Sequence, residues 1–303
     1  MKILISGSHG LVGKALLASL TQDGYEVAPL VRRQRQVGSP EVEWDPKHGV
    51  IDVAHLEGFE VVIHLAGESI AEGRWTNEKK RRIRDSRVQG TQILSEALLK
   101  LSRPPKAFLC ASAIGYYGNR GDEVLDEASK PGSGFLSIVC RQWEQATSPV
   151  AQAGIRTVNL RFGIILSPRG GALAKMLPPF RMGIGGRIGN GKQWMSWIAL
   201  DDVVGAITHA ISDESLAGPV NIVAPNPVTN ADFTKHLGRV LSRPTLFPVP
   251  AFGARLAFGE MADALLLSSQ RVMSSRLNQA GYGFVEPELA GALRRVLSEG
   301  EGI

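Results

Sequence analysis

The sequence is poor in cysteine. It holds two, Cys110 and Cys140, in 303 residues. That excludes a disulfide framework, and neither thiol belongs to a C-x-x-C pair that could grip zinc. Two reduced thiols fit a cytoplasmic protein. No apolar run reaches the roughly 18 residues of a membrane-spanning helix, so no membrane partner is expected. The apolar N-terminus, MKILISGSHG, is broken at Gly7-Ser8-His9-Gly10, which argues against a secretory signal. Charge of one sign is also scarce. The net charge is +5, from 34 basic and 29 acidic residues, too small an excess to argue for nucleic acid. Much of it sits in one run, Lys79-Lys80-Arg81-Arg82-Ile83-Arg84. That run reads as a solvated helix face, or as a place where one arginine meets an anion. The six histidines, His9, His48, His55, His64, His209 and His236, form no pair at helical ligand spacing, so no metal is expected. One further absence matters below. Between Pro131 and Val150 there is no tyrosine and no lysine.

The first half alternates apolar strand-like runs with helical patterns. Strands are predicted at 2–6, 25–31, 42–44, 60–65, 107–112 and 157–161. Helices are predicted at 11–22, 76–101 and 134–153. Continuous apolar runs suit strands covered on both faces. The alternation predicts an α/β fold, a Rossmann-type doubly wound parallel sheet with right-handed crossovers. Segment 167–199 is rich in glycine and proline and reads as largely irregular, with a helix near 172–182. WIALDDVVGAITHAI then reads as a strand running into a helix, with Asp201 or Asp202 as its N-cap. From 224 on, helical patterns dominate. The expected layout is a nucleotide-binding domain at 1–223 and a smaller, mainly helical, substrate-side lobe at 224–303.

The sharpest motif is ISGSHGLVGKALL. Gly7, Gly10 and Gly13 follow a strand and open a helix. Glycines there let the chain turn tightly and let a pyrophosphate approach the free N–H groups of the helix N-terminus. Gly7, Ser8, His9, Gly10, Leu11, Val12 and Gly13 are therefore candidate cofactor contacts. The spacing is G-x-x-G-x-x-G rather than G-x-G-x-x-G. After the second strand, where an acid commonly holds the ribose 2′-hydroxyl, stand Arg32 and Arg33. Guanidinium groups suit a 2′-phosphate, so NADP(H) is expected over NAD(H).

These residues resemble the extended short-chain dehydrogenase/reductase superfamily, which includes nucleotide-sugar epimerases and dehydratases. Gly7–Gly13 is similar to its cofactor loop. VVIHLAG is similar to its fourth strand, which places Leu65, Ala66 and Gly67 against the cofactor. SAIGYYG is similar to the fifth-strand segment that usually carries a catalytic serine or threonine, and NLRFGIIL to the sixth strand. More narrowly, HLAGESI with RW, PPFRMGIGGRIGNGKQWMSWI, and SSQRVMSSRLNQAGYGF with ELAGALRRVL resemble the atypical epimerase-family group, family 39U, over essentially the whole chain. The resemblance implies a nicotinamide cofactor and a small-molecule substrate of no defined identity. It also makes Asp45 a candidate for the adenine and Ser112 for the cofactor.

In that superfamily a tyrosine hydroxyl moves the substrate proton. A lysine four residues on lowers its pKa and bonds the ribose. The resemblance puts these two places on Leu136 and Cys140, and the serine place on Ala113, with Ser112 just before it. Losing a positioned acid–base group costs roughly 10²–10⁴ in rate. Tyr116, Tyr117, Glu68 and Ser112 are the weak candidates to replace it. Each has a plain alternative: packing for the tyrosines, pairing with Arg74 for Glu68, a backbone or cofactor bond for Ser112. Cys140 reads as a small buried apolar residue. Arg161, Arg181, Arg187 and Lys192 fall where relatives bind a sugar nucleotide, so an anionic substrate is admissible. Two functions are open. One is an NADP(H)-binding, epimerase-like oxidoreductase without the Tyr-x-x-x-Lys pair. The other is a non-catalytic NADP(H)-binding redox sensor. Self-pairing through the basic helix at 76–101 would be repulsive, so a monomer or weak homodimer is expected.

Overall fold

The computed structural model describes residues 1–32 and 39–298. β1 (Lys2–Ser6) leads through the glycine loop into α1 (Leu11–Gln22) and back to β2 (Glu26–Val31). Then come β3 (Val42–Asp45), β4 (Val50–Ile51), β5 (Val61–His64), α2 (Asn77–Leu98) and β6 (Ala107–Ala113). A 3₁₀ turn at Ile114–Tyr117 and β7 (Val124–Leu125) precede α3 (Phe135–Gln145), α4 (Ser148–Gln152) and β8 (Arg156–Phe162). The chain continues through β9 (Ile164–Leu166), α5 (Gly171–Arg181), β10 (Trp194–Met195), β11 (Trp197–Ala199), α6 (Leu200–Ser212) and β12 (Gly218–Ile222). It ends with β13 (Val228–Thr229), α7 (Asn230–Val240), α8 (Ala251–Phe258), β14 (Arg271–Val272), α9 (Ser275–Gln279) and α10 (Leu289–Ser298).

Eight strands form one sheet in the order β12-β8-β6-β5-β1-β2-β3-β4, parallel except for the β3–β4 hairpin. Alternate side chains of each strand serve opposite faces. Ile3 and Ile5 of β1 meet Leu16 and Leu20 of α1 and Val203 and Ile207 of α6. Leu4 joins Leu94 and Leu98 of α2 and Trp143 of α3 on the other side. Both faces are thus covered, which is why β5, VVIH, is buried at every position. This is the doubly wound arrangement expected. The chain reverses direction of winding beside β1, so the crevice outside the carboxyl ends of β1 and β5 is where a ligand belongs.

A second core joins α5, β9, β11, α7 and α10 around Trp197, Phe180, Phe233 and Leu293. Residues 271–284 run back to the sheet. β14 pairs in parallel with β7, and Leu277 of α9 enters the core beneath β12.

Three local expectations need correction. The helix expected at 134–153 is two. Thr147 Oγ1 donates back to the Glu144 carbonyl, and Pro149, lacking an N–H, sits at the start of α4. Within 167–199 the helix expected near 172–182 is α5 and the strand expected at the start of WIALDDVV is β11; what departs from the irregular backbone expected is β10, where Met195 joins the second core. Neither Asp201 nor Asp202 caps α6, whose N-cap is Ala199 without a side-chain bond. Both acids lie in the first turn, where they favour the helix dipole. Asp202 is fully buried and accepts from Tyr282 Oη and the Val285 N–H with Oδ1 and from the Glu286 N–H with Oδ2.

Candidate functional site

The loop after β1 is shaped by sterics. Gly7 has φ 72°, and a Cβ there would lie 2.8 Å from the Leu65 and Ala66 backbone. A Cβ on Gly13 would fall 2.2 Å from the Gly7 carbonyl oxygen. Backbone cannot yield to either, so both positions require glycine. Gly10 is the N-cap of α1 and offers no side chain, so the first N–H groups of the helix stay open to a ligand. The residues therefore fit a pyrophosphate: a cradle without side chains ends at an uncapped helix N-terminus. Beneath the loop, Ser6 Oγ accepts from the Leu65 and Ala66 N–H groups and lies 2.6 Å from His64 Nδ1. Burial holds the His64 pKa down to about 4, so the ring is neutral. Ser8 Oγ lies 3.3 Å from His9 Nδ1.

Sheet order fixes the two ends of the crevice. β2 and β3 lie on one side of β1, β5 and β6 on the other. Arg32 is exposed at the end of β2. Arg33 lies outside the described residues. Asp45 accepts from the Lys47 and His48 N–H groups and stands 2.5 Å from His48 Nδ1, so its carboxylate builds its own turn. On the other side, Leu65, Ala66 and Gly67 run past the loop and α2.

Glu68, next along, does not pair with Arg74. Its carboxylate takes Lys79 Nζ at 2.7 Å and Arg82 at 3.6 Å. The Lys79 hydrogen bond, opposed by burial, holds its pKa below the usual carboxylate range. It is therefore ionised at neutral pH and is a weaker base than a free carboxylate. The basic run on α2 is thereby largely neutralised. Lys79 meets Glu68, Lys80 meets Glu260, Arg82 meets Glu78 and Arg84 meets Asp85. The repulsion expected from it loses its physical basis.

The structure also separates the other candidates. Leu136 and Cys140 share one face of α3. A Cβ on Gly115 would meet Leu136 Cβ at 3.3 Å and Cys140 Sγ at 3.7 Å. This apolar pair closes on the end of β6. The Cys140 thiol is pushed up to about 12, by burial first and the charge of Glu144 second, so it stays neutral. Tyr117 is fully buried; its hydroxyl donates to Asn221 Oδ1 at 2.7 Å and accepts from Arg161 at 2.9 Å. Burial pushes its pKa up to about 12. Packing, not proton transfer, is its role. Ser112 donates to Glu144 Oε1 at 2.6 Å and is buried too. Glu144 also holds Arg161 with both oxygens, at 2.8 Å each. Arg161 is thus a core cation and leaves the set of substrate-facing bases. The Tyr116 ring stacks 3.6 Å from the Arg161 guanidinium carbon. It lines a cavity of 390 Å³ with Ile138, Arg141 and Gln142, on the side of α3 away from Leu136.

Two arginines were not singled out from sequence. Arg271 stacks 4.2 Å over Trp194, its Nε buried and without a partner. Its neighbour Gln270 donates to the Ile114 carbonyl, just past β6. Arg87 of α2 reaches Gly67 and donates from Nη1 to the Glu68 and Ile83 carbonyls. Neither has a signal in a local motif, since each meets its surroundings across the fold. The crevice is flanked on the lobe side by α5, whose Gly170 packs on Leu11, and by α8. Lys175 bonds the Ala71 carbonyl, Arg74 the Leu256 carbonyl at 2.6 Å, and Lys80 the Glu260 carboxylate.

A glycine cradle at the switch point of a doubly wound sheet, with a second lobe over its carboxyl edge, defines a Rossmann-type dinucleotide-binding protein of the short-chain dehydrogenase/reductase class. A family model described as the NAD dependent epimerase/dehydratase family matches residues 3–223, and a second, described only as a domain of unknown function, matches residues 249–296. The chain belongs to that epimerase/dehydratase family. An epimerase family protein of Mycobacterium bovis is 44% identical over 291 residues, 96% of each chain. The crystal structure of human epimerase family protein SDR39U1 with NADPH superposes with a TM-score of 0.88 at 32% identity, covering 98% of this chain and 99% of that one. A nucleoside-diphosphate sugar epimerase from Corynebacterium glutamicum superposes with a TM-score of 0.80 at 38% identity, covering 99% of this chain and 58% of the other. Among the described residues no helix is long and apolar enough to cross a membrane, and no cluster of three metal-binding side chains exists.

Proposed function

We propose that this protein binds NADP(H) and acts as an epimerase-like oxidoreductase on a small anionic substrate, without the tyrosine–lysine pair. The glycine cradle of Gly7 and Gly13, ending at the uncapped N-terminus of α1, carries this reading. Gly7, Ser8, Gly10 and Gly13 would hold the pyrophosphate, Arg32 and Arg33 the 2′-phosphate, and Leu65–Gly67 the path to the nicotinamide half. The NADPH bound by the human relative supports the choice of cofactor. Once bound, the nicotinamide supplies or takes a hydride. This chain's own residues do the rest. The lobe shields the crevice from water, and Arg271, partly desolvated and stacked on Trp194, attracts and orients a negative group. Glu68, just past Leu65–Gly67, is the proposed proton acceptor in the oxidising direction, a weak one while Lys79 holds it. Tyr116 is the remaining hydroxyl candidate for the opposite direction. A cytoplasmic setting and no nucleic-acid partner belong to the same proposal.

Fluorescence titration with NADPH, followed by a panel of carbonyl compounds and sugar nucleotides, tests it. Arg32→Ala should weaken NADPH by about tenfold or more, as expected for a lost charge-assisted bond, and NADH far less. Equal loss of both cofactors would remove the 2′-phosphate assignment. Glu68→Gln or Tyr116→Phe should bind NADPH normally and lose any turnover that the panel reveals.

One observation favours a second reading, a non-catalytic redox sensor. Leu136 and Cys140, the positions that the resemblance assigns to the proton relay, pack as a neutral, apolar pair. Tight NADPH binding with no oxidation by any panel member would favour that reading.

A further inference from the structure

Arg87 is a cation without an ion-pair partner among the described residues; the Glu68 charge acts on it from beyond contact and is itself paired with Lys79. In the run before it, Lys79, Lys80, Arg82 and Arg84 each meet a carboxylate, while Arg81 is exposed to solvent. Arg87 makes no ion pair among the described residues. Both of its hydrogen bonds leave from Nη1, to the carbonyls of Glu68 and Ile83 at 3.0 and 3.1 Å. They fix the guanidinium in place and leave Nε and Nη2 with no acceptor among the described residues. Trp143 supplies a ring face 5.0 Å from its guanidinium carbon. A partly buried guanidinium held this way lacks only an acceptor.

Its place is specific. A Cβ on Gly67 would stand 3.3 Å from the guanidinium carbon, so Arg87 lies at the end of β5, on the nicotinamide side of the glycine cradle. It lies near enough to Cys140 for its charge to act on that thiol, against the larger effect of burial. Cys140 is the position at which a lysine of α3 would present its ammonium. The cation missing from α3 is therefore supplied from α2, across the same gap.

We propose that Arg87 takes over the ribose-holding role of the missing lysine, donating from Nε and Nη2 to the hydroxyls of the nicotinamide ribose. The assignment rests on the NADP(H) reading above. Trp143 and the two carbonyls pre-orient the donor fork, and Gly67 leaves room for it. The tyrosine-activating role of a lysine has no object here, because Leu136 has no hydroxyl.

The test compares two ligands on the full-length protein by titration. NADPH carries the nicotinamide ribose. 2′-Phospho-ADP keeps the adenosine half, the 2′-phosphate and the pyrophosphate but lacks that ribose. Arg87→Met should weaken NADPH by about ten- to a hundredfold, the range for bonds to a charged donor, and 2′-phospho-ADP by less than about threefold. Retained 2′-phospho-ADP binding also reports an intact fold. Should Arg87→Met not fold, Arg87→Lys, with its shorter reach and single donor head, carries the same comparison with a smaller loss for NADPH alone. Equal weakening of both ligands, or no weakening of either, overturns the proposal. Failure of the unaltered protein to bind either ligand would instead overturn the cofactor reading, and with it this one.

Discussion

His64 lies sealed beneath the glycine loop, its Nε2 without a partner and its ring edge-on to Trp44. Unfolded, the imidazole takes up a proton near 6.5; folded, burial delays this to about 4. Because the folded value is the lower one, the unfolded chain binds more protons between these limits. Stability is then complete above about pH 6.5 and drains away as pH falls toward 4, by up to ~3 kcal/mol from this residue. Urea unfolding at pH 7 and pH 4.5 should show the wild type losing about 2–3 kcal/mol more than His64→Gln. An equal loss in both would acquit His64. At this scale the sequence was informative only where the chemistry is local. Gly7, Gly10 and Gly13 stand out because their neighbours along the chain build the loop. The bond between Glu144 and Ser112 joins residues 32 apart, and that between Glu144 and Arg161 joins residues 17 apart. No spacing rule ties a helix glutamate to a strand serine. Arg161 therefore read as a ligand contact, although it is a buried cation with its counter-charge already in place.

Elements were legible where apolar periodicity was strong. The strands at β1, β2, β5, β6 and β8 and the helix α1 are bounded as their patterns predict, because each is buried along a continuous stripe. The long helix after residue 134 was misread because its apolar pattern runs on through Val150 while the backbone does not. The start of α6 was misread for a different reason. An aspartate ahead of an apolar helix usually caps it, but Asp202 is turned inward to gather the segment after α9. Removing that carboxylate would orphan two N–H groups and leave the Tyr282 hydroxyl only its bond to the Asp202 carbonyl. Asp202→Ala should therefore lower stability by about 2–4 kcal/mol, read from the urea midpoint. Asp201→Ala, which breaks only an exposed pair with Arg295, should cost under about 1 kcal/mol. A comparable loss for both would mean that the inward anchor contributes no more than surface charge.

Across the whole molecule, the alternation of strand and helix was enough to give the doubly wound sheet and its crevice. What pattern could not give was the way the C-terminal part closes over it. Arg74, Lys80 and Lys175 reach across from or toward the segment after β5, and their partners lie between 71 and 260 in the sequence. Such contacts leave no periodic trace. Their consequence is kinetic. A nucleotide seated in the crevice would leave only after these three clasps part, so its residence time would follow the clasps and not its own contacts alone. Raising salt from 50 to 500 mM should shorten that residence about two- to fivefold, the reach of one exposed ion pair, in a stopped-flow displacement of NADPH by excess NADP⁺. Lys80→Ala should give the shorter time at low salt and a weaker dependence on salt than the wild type. A wild-type rate indifferent to salt would show the mouth already open. With the clasps in force, ionic strength would act as the clock that sets how often the protein exchanges its nucleotide.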